Sequence, residues 1–254
     1  MHLQFRKITN KKMNLIIDIG NTRTKVYVFD VRRLLADYTF RKLTSASLRK
    51  ILSRHRIDAS ILSSVVKNDG ATAKLLKQKT DFVALSQRTS LPFRNGYNTK
   101  ETLGNDRIAN AAGALKTFPG KHCLIIDAGT CVKYDFINKS KKYLGGAISP
   151  GLLMRYRALH EFTSKLPLVK PSGSVQLTGK STKASIISGV QLGILNEMDG
   201  YIRQYSLKYK DLKVILTGGD AGCFAHLLNF PIFAAPKLTA IGLNEILLHN
   251  LEKN

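Results

Sequence analysis

The stretch Leu15-Ile16-Ile17-Asp18-Ile19-Gly20-Asn21-Thr22-Arg23-Thr24-Lys25 is the one around which the rest of the chain is arranged. Its unbroken apolar start reads as a strand covered on both faces, because such strands lose the alternation of half-exposed ones. The run ends on a carboxylate and passes through Gly20-Asn21-Thr22 into a second strand-like segment, Val26-Tyr27-Val28-Phe29. Gly and Asn tolerate the positive φ of a tight hairpin, so the two runs are expected to form one. The tip then presents Asp18, two hydroxyls, backbone N–H groups, Arg23 and Lys25. Groups of this kind hold a polyphosphate and its metal ion.

The phrase recurs 109 residues later, from Asp18 to Asp127, as Leu124-Ile125-Ile126-Asp127-Ala128-Gly129-Thr130, and again runs into a strand-like segment, Cys131 to Phe136. A single turn of this type has a plain alternative reading, an Asp satisfying backbone donors. Two copies at a domain-sized spacing suggest a duplicated domain whose hairpins face each other across a cleft.

The 254 residues suit one large domain or two small ones. No apolar run is long enough to span a membrane, and the basic start, residues 1–12, lacks the apolar core of a secretory signal. That segment reads as a flexible extension. Cys123, Cys131 and Cys223 show no CxxC spacing, which fits free thiols in a reducing cytoplasm. The net charge of +23 is compatible with polyanion binding or with a solvated basic surface. The basic residues are spread along the chain without an aromatic RNA-binding motif, so a nucleic-acid partner is not expected.

In order, strands are expected near residues 36–40, 59–66 and 82–85, with helices from Ser45 and from Ala71. The resulting β-β-β-α-β-α-β order favours a mixed sheet flanked by helices. Residues 90–105 form a long polar loop, of the kind that is often functional. It ends at Gly104-Asn105-Asp106-Arg107 before a helix from Ile108 to Lys116. At that helix start Asp106 is either an ordinary cap or an anion placed for chemistry. Pro119-Gly120 marks the expected division: an extension over 1–12, one domain over 13–117 and another over 118–254. After the second hairpin, the small residues of Gly145 to Gly151 imply a close backbone approach and a turn into a helix over 152–161. Thr182 opens a long helix with Ile187, Val190, Ile194, Met198, Tyr201 and Tyr205 on one stripe. A strand over 212–216 delivers Thr217-Gly218-Gly219-Asp220 to a helix through Leu228, and a last helix runs from Leu238 to Leu251.

Taken together, Asp18 to Lys25, Gly104 to Arg107, Asp127 to Thr130, Gly145 to Gly151, Gly179 to Thr182 and Thr217 to Asp220 resemble, in order, the motifs of the type III pantothenate kinases. That family belongs to the actin-like, sugar-kinase-like ATPase superfamily. The resemblance implies two duplicated ribonuclease-H-like α/β domains with mixed sheets flanked by helices, a cytoplasmic homodimer, and ATP-dependent phosphorylation of pantothenate. It implies that Asp18, Ile19, Gly20, Asn21, Thr22, Arg23, Thr24 and Lys25 form the first phosphate loop, with Thr130 a further ATP contact. Asp106 would be the catalytic base. Tyr97, Gly104, Asn105, Asp106, Arg107 and Thr182 would hold pantothenate. Asp18 would organise Mg²⁺, and Asp127 would match the ligand of a monovalent cation, K⁺ or NH₄⁺.

One departure stands out. Many family members follow the second Gly-Thr with further threonines, whereas this chain has Cys131-Val132-Lys133. Lys133 is either a solvated lysine or an ammonium that assists or replaces the bound cation. Two other functions compete with the kinase reading: a kinase-derived accessory regulator of transcription, and an actin-like ATPase with no small-molecule acceptor. A regulator should have lost the base or a phosphate loop, yet Asp18, Asp106, Asp127 and Thr182 are all present.

Overall fold

Burial on both faces places Leu15, Ile16 and Ile17, each fully buried, at the centre of the first sheet. The computed structural model describes residues 13–65 and 70–253, so the expected extension over 1–12 lies outside the described residues. The strands of this sheet are β1 (Met13–Ile19), β2 (Thr24–Asp30), β3 (Arg33–Phe40), β4 (Ala59–Ser64) and β5 (Asp81–Ala84). They lie in the order β3-β2-β1-β4-β5, antiparallel from β3 to β1 and parallel from β1 to β5. Helices α1 (Ser45–Arg54) and α2 (Gly70–Lys79) give Leu48, Ile51, Leu75 and Leu76 to the core beneath Leu15, Ile17, Val26 and Val28. The cap of α1 is Thr44, whose Oγ1 accepts from Ser47 N–H at 3.1 Å, one residue before the expected Ser45.

The second sheet repeats the plan. After the two-residue β6 (Arg94–Asn95) and helix α3 (Asn105–Thr117) come β7 (Cys123–Ala128), β8 (Cys131–Ile137), β9 (Lys142–Pro150), β10 (Lys213–Thr217) and β11 (Ile232–Ala234). Their order is β9-β8-β7-β10-β11, again three antiparallel neighbours followed by two parallel ones, with β6 added parallel to β9. Between β9 and β10 lie α4 (Leu152–Glu161) and the 27-residue α5 (Thr182–Lys208); α6 (Ala221–Phe224) and α7 (Leu238–Leu251) follow.

Several expectations are corrected. Residues 142–150 form a strand, interrupted by a register shift between Tyr143 and Gly145 where Gly145 takes φ +99°, and a side chain added at Gly145 or Gly146 would meet Tyr97 or the Tyr134 backbone. β11 was not foreseen, since three residues carry no readable periodicity. The helix expected to reach Leu228 ends at Phe224. The buried stripe of α5 runs through Ile186, Val190, Ile194, Met198 and Ile202, while Ile187, Tyr201 and Tyr205 pack at its margin. The first hairpin uses no positive φ at Gly20 or Asn21, because four residues separate the paired Ile19 and Thr24 and Gly20 N–H reaches Arg23 O at 3.1 Å. The left-handed residue is instead the β-branched Val31, at φ 53° between β2 and β3.

By contact the chain gathers into two units, the described residues of Met1–Pro92, Gly104–Ala109 and Ala240–Asn254 in one, and Phe93–Leu103 and Asn110–Thr239 in the other. A single division after Thr117 does not follow them. The loop from Phe93 joins the second unit through β6 and β9. The end of α7 returns to the first through polar contacts. Asn244 Nδ2 donates to Val31 O at 2.7 Å, and Asn14 Nδ2 donates to Asn244 Oδ1 at 2.9 Å. Asn250 Nδ2 donates to Ser90 O at 2.9 Å. Because Asn14 and Asn244 are buried, removing one strands the other. Asn244→Ala should therefore lower the unfolding free energy by about 1–3 kcal/mol in urea titrations, while a loss below about 0.5 kcal/mol would show that the pair does not tie α7 down.

Candidate active site

In the first unit the candidate residues collect at the carboxyl ends of the parallel strands. That edge is where open α/β sheets present ligand-binding groups. Asp18 and Ile19 end β1, with Asp18 paired to Lys25 across the hairpin and to Ser63 on β4. Gly20, Asn21, Thr22 and Arg23 form the turn; Thr24 is buried, while Asn21, Thr22, Arg23 and Lys25 are exposed. Leu85, just beyond β5, donates to Leu62 O and accepts from Asn105 Nδ2 at 3.4 Å. This bond brings the start of α3, and with it Asp106, to the same edge of the sheet.

The start of α3 is shaped by Gly104. A Cβ there would stand 2.5 Å from Asp106 Oδ1, so a side chain at 104 would have to displace the carboxylate that folds back over the turn. Asp106 Oδ1 accepts from Arg107 N–H at 2.9 Å, which fixes the carboxylate's direction. Arg107 itself is buried, and its N–H also approaches Gly104 O at 3.1 Å. The sequence expectation of an acidic group in the first turn holds for Asp106.

In the second unit Asp127 lies near the end of β7, with cross-strand partners Thr217 on β10 and Lys133 on β8. Lys133 Nζ stands 2.8 Å from Asp127 Oδ2. The same oxygen accepts from Asn110 Nδ2 at 3.2 Å, and Asn110 Oδ1 accepts from Thr239 Oγ1 at 2.8 Å. Asn110 was missed in the sequence; its one signal is its place one helical turn beyond Asp106 in α3.

The Gly129-Thr130 turn is enclosed by backbone. Gly129 N–H donates to Cys131 O, Gly151 N–H to Thr130 O and Asp220 N–H to Ala128 O, at 3.0, 3.2 and 2.9 Å. At Gly151 a Cβ would strike the carbonyls of Gly129 and Thr130; at Gly218, with φ +98°, it would lie 2.6 Å from Asp127 Oδ1. Thr130 is left exposed, and burial pushes the Asp220 carboxyl above its ordinary pKa.

Tyr97 and Thr182 lie elsewhere in this unit. Tyr97 follows β6, its ring 6.2 Å from that of Tyr143 and packed over Gly145. Three strand spacings, about 14 Å, separate β6 from β7, so the structure does not bring Tyr97 to the Asp127 turn. Tyr97 lines an open cavity of about 490 Å³ with Arg94, Lys100 and Lys142. Thr182 is the exposed first residue of α5, capped by Ser181. Behind the site, Glu197 on α5 accepts from Tyr134 and Ser149 hydroxyls at 2.8 and 3.0 Å and pairs with Arg155 at 2.5 Å.

Two sheets of one order, each ending its central strand in an aspartate beside a small-residue turn, define the actin-like, sugar-kinase-like ATPase fold. The chain is similar in fold to a solved Campylobacter jejuni protein described as a Baf family transcriptional activator, with TM-score 0.60, 22% identity, and coverage of 94% of this chain and 99% of that one. It is also similar to a Listeria monocytogenes protein described as an N-acetylmannosamine kinase, with TM-score 0.51, 12% identity, and coverage of 95% and 100%. The sequence narrows this class: the family model for type III pantothenate kinase matches residues 14–204. Type III pantothenate kinases of Christiangramia forsetii and Cytophaga hutchinsonii are 46% and 43% identical over 240 and 239 residues, covering 94% of this chain in both cases and 99% and 100% of theirs. That of Porphyromonas gingivalis is 37% identical over 242 residues, covering 94% of this chain and 99% of its own. The protein belongs to the type III pantothenate kinase family.

Two measurements probe the second unit. Gly218→Ala forces a side chain into a left-handed position against Asp127, so it should cost more than about 1 kcal/mol in urea unfolding; no loss would mean the turn has room to relax. Burial raises the Cys123 thiol to about 12, whereas Cys223 is exposed. At pH 8 a disulfide reagent should therefore modify Cys223 in the native protein and reach Cys123 only on unfolding, as peptide mapping would reveal.

Proposed function

We propose that this protein transfers the γ-phosphoryl group of ATP to the terminal hydroxyl of pantothenate, forming 4'-phosphopantothenate at the first step of coenzyme A synthesis. The observation that carries this reading is the carboxylate of Asp106, held over Gly104 at the start of α3 in a chain of this family. The pantothenate oxygen attacks the γ-phosphorus, the bond to ADP breaks, and the hydroxyl proton passes to Asp106. A carboxylate is a weak base toward an alcohol. It accepts the proton late, when bonding to phosphorus has made the hydroxyl acidic, and such assistance is worth a factor of about 10² to 10⁴. Phosphoryl transfer passes through a loose transition state, so positioning and charge neutralisation supply most of the rate.

In this reading Asp18 to Lys25 cradle the ATP phosphates: Gly20 and Asn21 offer backbone N–H groups, Thr22 and Thr24 hydroxyls, and Arg23 and Lys25 positive charge. Thr130 would be a further ATP contact, as the family resemblance implies. Asn105, Arg107, Tyr97 and Thr182 hold pantothenate, and the charges of Arg94, Lys100 and Lys142 around the Tyr97 cavity suit its carboxylate. Mg²⁺ fits the donor set. Among the described residues no cluster of three or more His, Cys, Asp or Glu exists, and Mg²⁺ binds kinases through one or two carboxylates, phosphate oxygens and water. Asp18 would supply the carboxylate, and the ion would neutralise charge on the phosphates. The monovalent cation implied at Asp127 does not fit, since Asp127 Oδ2 already holds Lys133 and Asn110.

We also propose a cytoplasmic homodimer. Among the described residues no helix is long and apolar enough to cross a membrane. Leu144 and Ile148 of β9 are exposed, as are Leu153 and Met154 of α4, apolar area that a second copy could cover.

A coupled assay of ADP release, with and without pantothenate, tests the reading. Turnover should depend on pantothenate; ADP release indifferent to it would revive an ATPase or regulatory role. Asp106→Asn should preserve the fold and ATP affinity while lowering turnover at least about a hundredfold. Near-normal turnover would remove Asp106 from the chemistry.

A further inference from the structure

We infer that the ammonium of Lys133 is a built-in replacement for a bound monovalent cation, and that the phosphate site of the second unit works without potassium or ammonium. The inference rests on the kinase reading only for the part that the Asp127 turn plays toward ATP.

Four observations converge. Strand pairing puts Lys133 directly opposite Asp127, so the side chain reaches the carboxylate without a detour. Its Nζ lies 2.8 Å from Oδ2, and both side chains are largely withdrawn from water, at 16% and 14% exposure. Such a pair is poorly screened and is not a mobile surface contact. Oδ2 is also occupied by Asn110 Nδ2 at 3.2 Å. Beside the other oxygen stands Gly218, at φ +98°, where any added side chain would lie 2.6 Å from Oδ1, so the turn is built tightly around the carboxylate.

The chemistry matches. A lysine head is an ammonium ion with one N–H replaced by a carbon tether, and it keeps the unit charge and three donors. Ammonium is one of the two ions that the family resemblance implies at this position. A free cation arriving at Asp127 would meet a like charge and find Oδ2 already held by Lys133 and Asn110.

The test uses the full chain in buffers of equal ionic strength made with tetramethylammonium, potassium or ammonium chloride. ADP affinity is read by calorimetry in the presence of Mg²⁺, and turnover on pantothenate is read in parallel. The wild type should bind ADP and turn over equally in all three salts. Lys133→Met should bind ADP about tenfold more weakly in tetramethylammonium and recover in potassium or ammonium. A wild-type affinity that rises about tenfold with potassium would overturn the inference. So would a Lys133→Met protein that is unaffected, or one whose loss neither ion restores. Should circular dichroism show that Lys133→Met is unfolded, the wild-type salt series decides alone. Failure of the kinase reading is distinguishable, because it would abolish pantothenate-dependent turnover in every salt while leaving the ADP titrations readable.

Discussion

The hydrogen bonding of β1 and β7, antiparallel on one side and parallel on the other, is the constraint on which each unit depends. A strand placed in this way has neighbours at both edges and packed layers on both faces, so its side chains must be apolar until the strand ends. The triplets Leu15-Ile16-Ile17 and Leu124-Ile125-Ile126 are fully buried for that reason. The carboxylates of Asp18 and Asp127 come at the first positions where water or a ligand can reach a charge. Antiparallel pairing then delivers Lys25 opposite one and Lys133 opposite the other. The chemistry of both turns is thus a by-product of how the sheet is closed.

This logic explains which features could be read from sequence. Long apolar runs ending in Asp-x-Gly, and the Gly104-Asn105-Asp106-Arg107 helix start, carry their structure locally, so the two hairpins and α3 were legible. The repeated strand order was legible as a repeat but not as a topology, because the parallel partners β4 and β10 are chosen by packing far along the chain. β9 was hidden by its glycines, which read as a turn but serve a strand pressed against Tyr97 and Tyr134. Val31 was illegible for the opposite reason. A β-branched residue at positive φ is unfavourable alone, and it is held by Asn244, more than two hundred residues away in the chain.

Polar residues inside the units do the tying that apolar burial leaves unspecified. Hydrophobic contact is non-directional, so it cannot by itself fix how a terminal helix meets a sheet. The buried Asn14–Asn244 pair can, since each amide must find its partner or lose a hydrogen bond. In the second unit the Glu197 carboxylate gathers Tyr134, Ser149 and Arg155 from two strands and a helix onto α5. Burial and the nearby carboxylate raise the Tyr134 phenol, which keeps it a neutral donor at any ordinary pH.

The second turn raises an electrostatic problem that the first does not. A carboxylate beside a polyphosphate repels it, by about 4 kcal/mol for unit charges 4 Å apart at an effective dielectric of 20. On the proposed reading, the Asp18 carboxylate of the first hairpin would meet a divalent ion that the nucleotide brings with it. In the second, on the inference drawn above, Lys133 and Asn110 take the place of such an ion at Asp127. A diffusible cation would neutralise the same carboxylate only in proportion to its concentration and would have to be ordered each time it bound. A cation carried on the neighbouring strand is placed when the sheet folds, so its ordering entropy belongs to folding and not to each catalytic cycle. On that inference, Cys131-Val132-Lys133 in place of the family's threonines changes how the charge is supplied. That is why a departure from the family's pattern at this position is compatible with the rest of the site being intact.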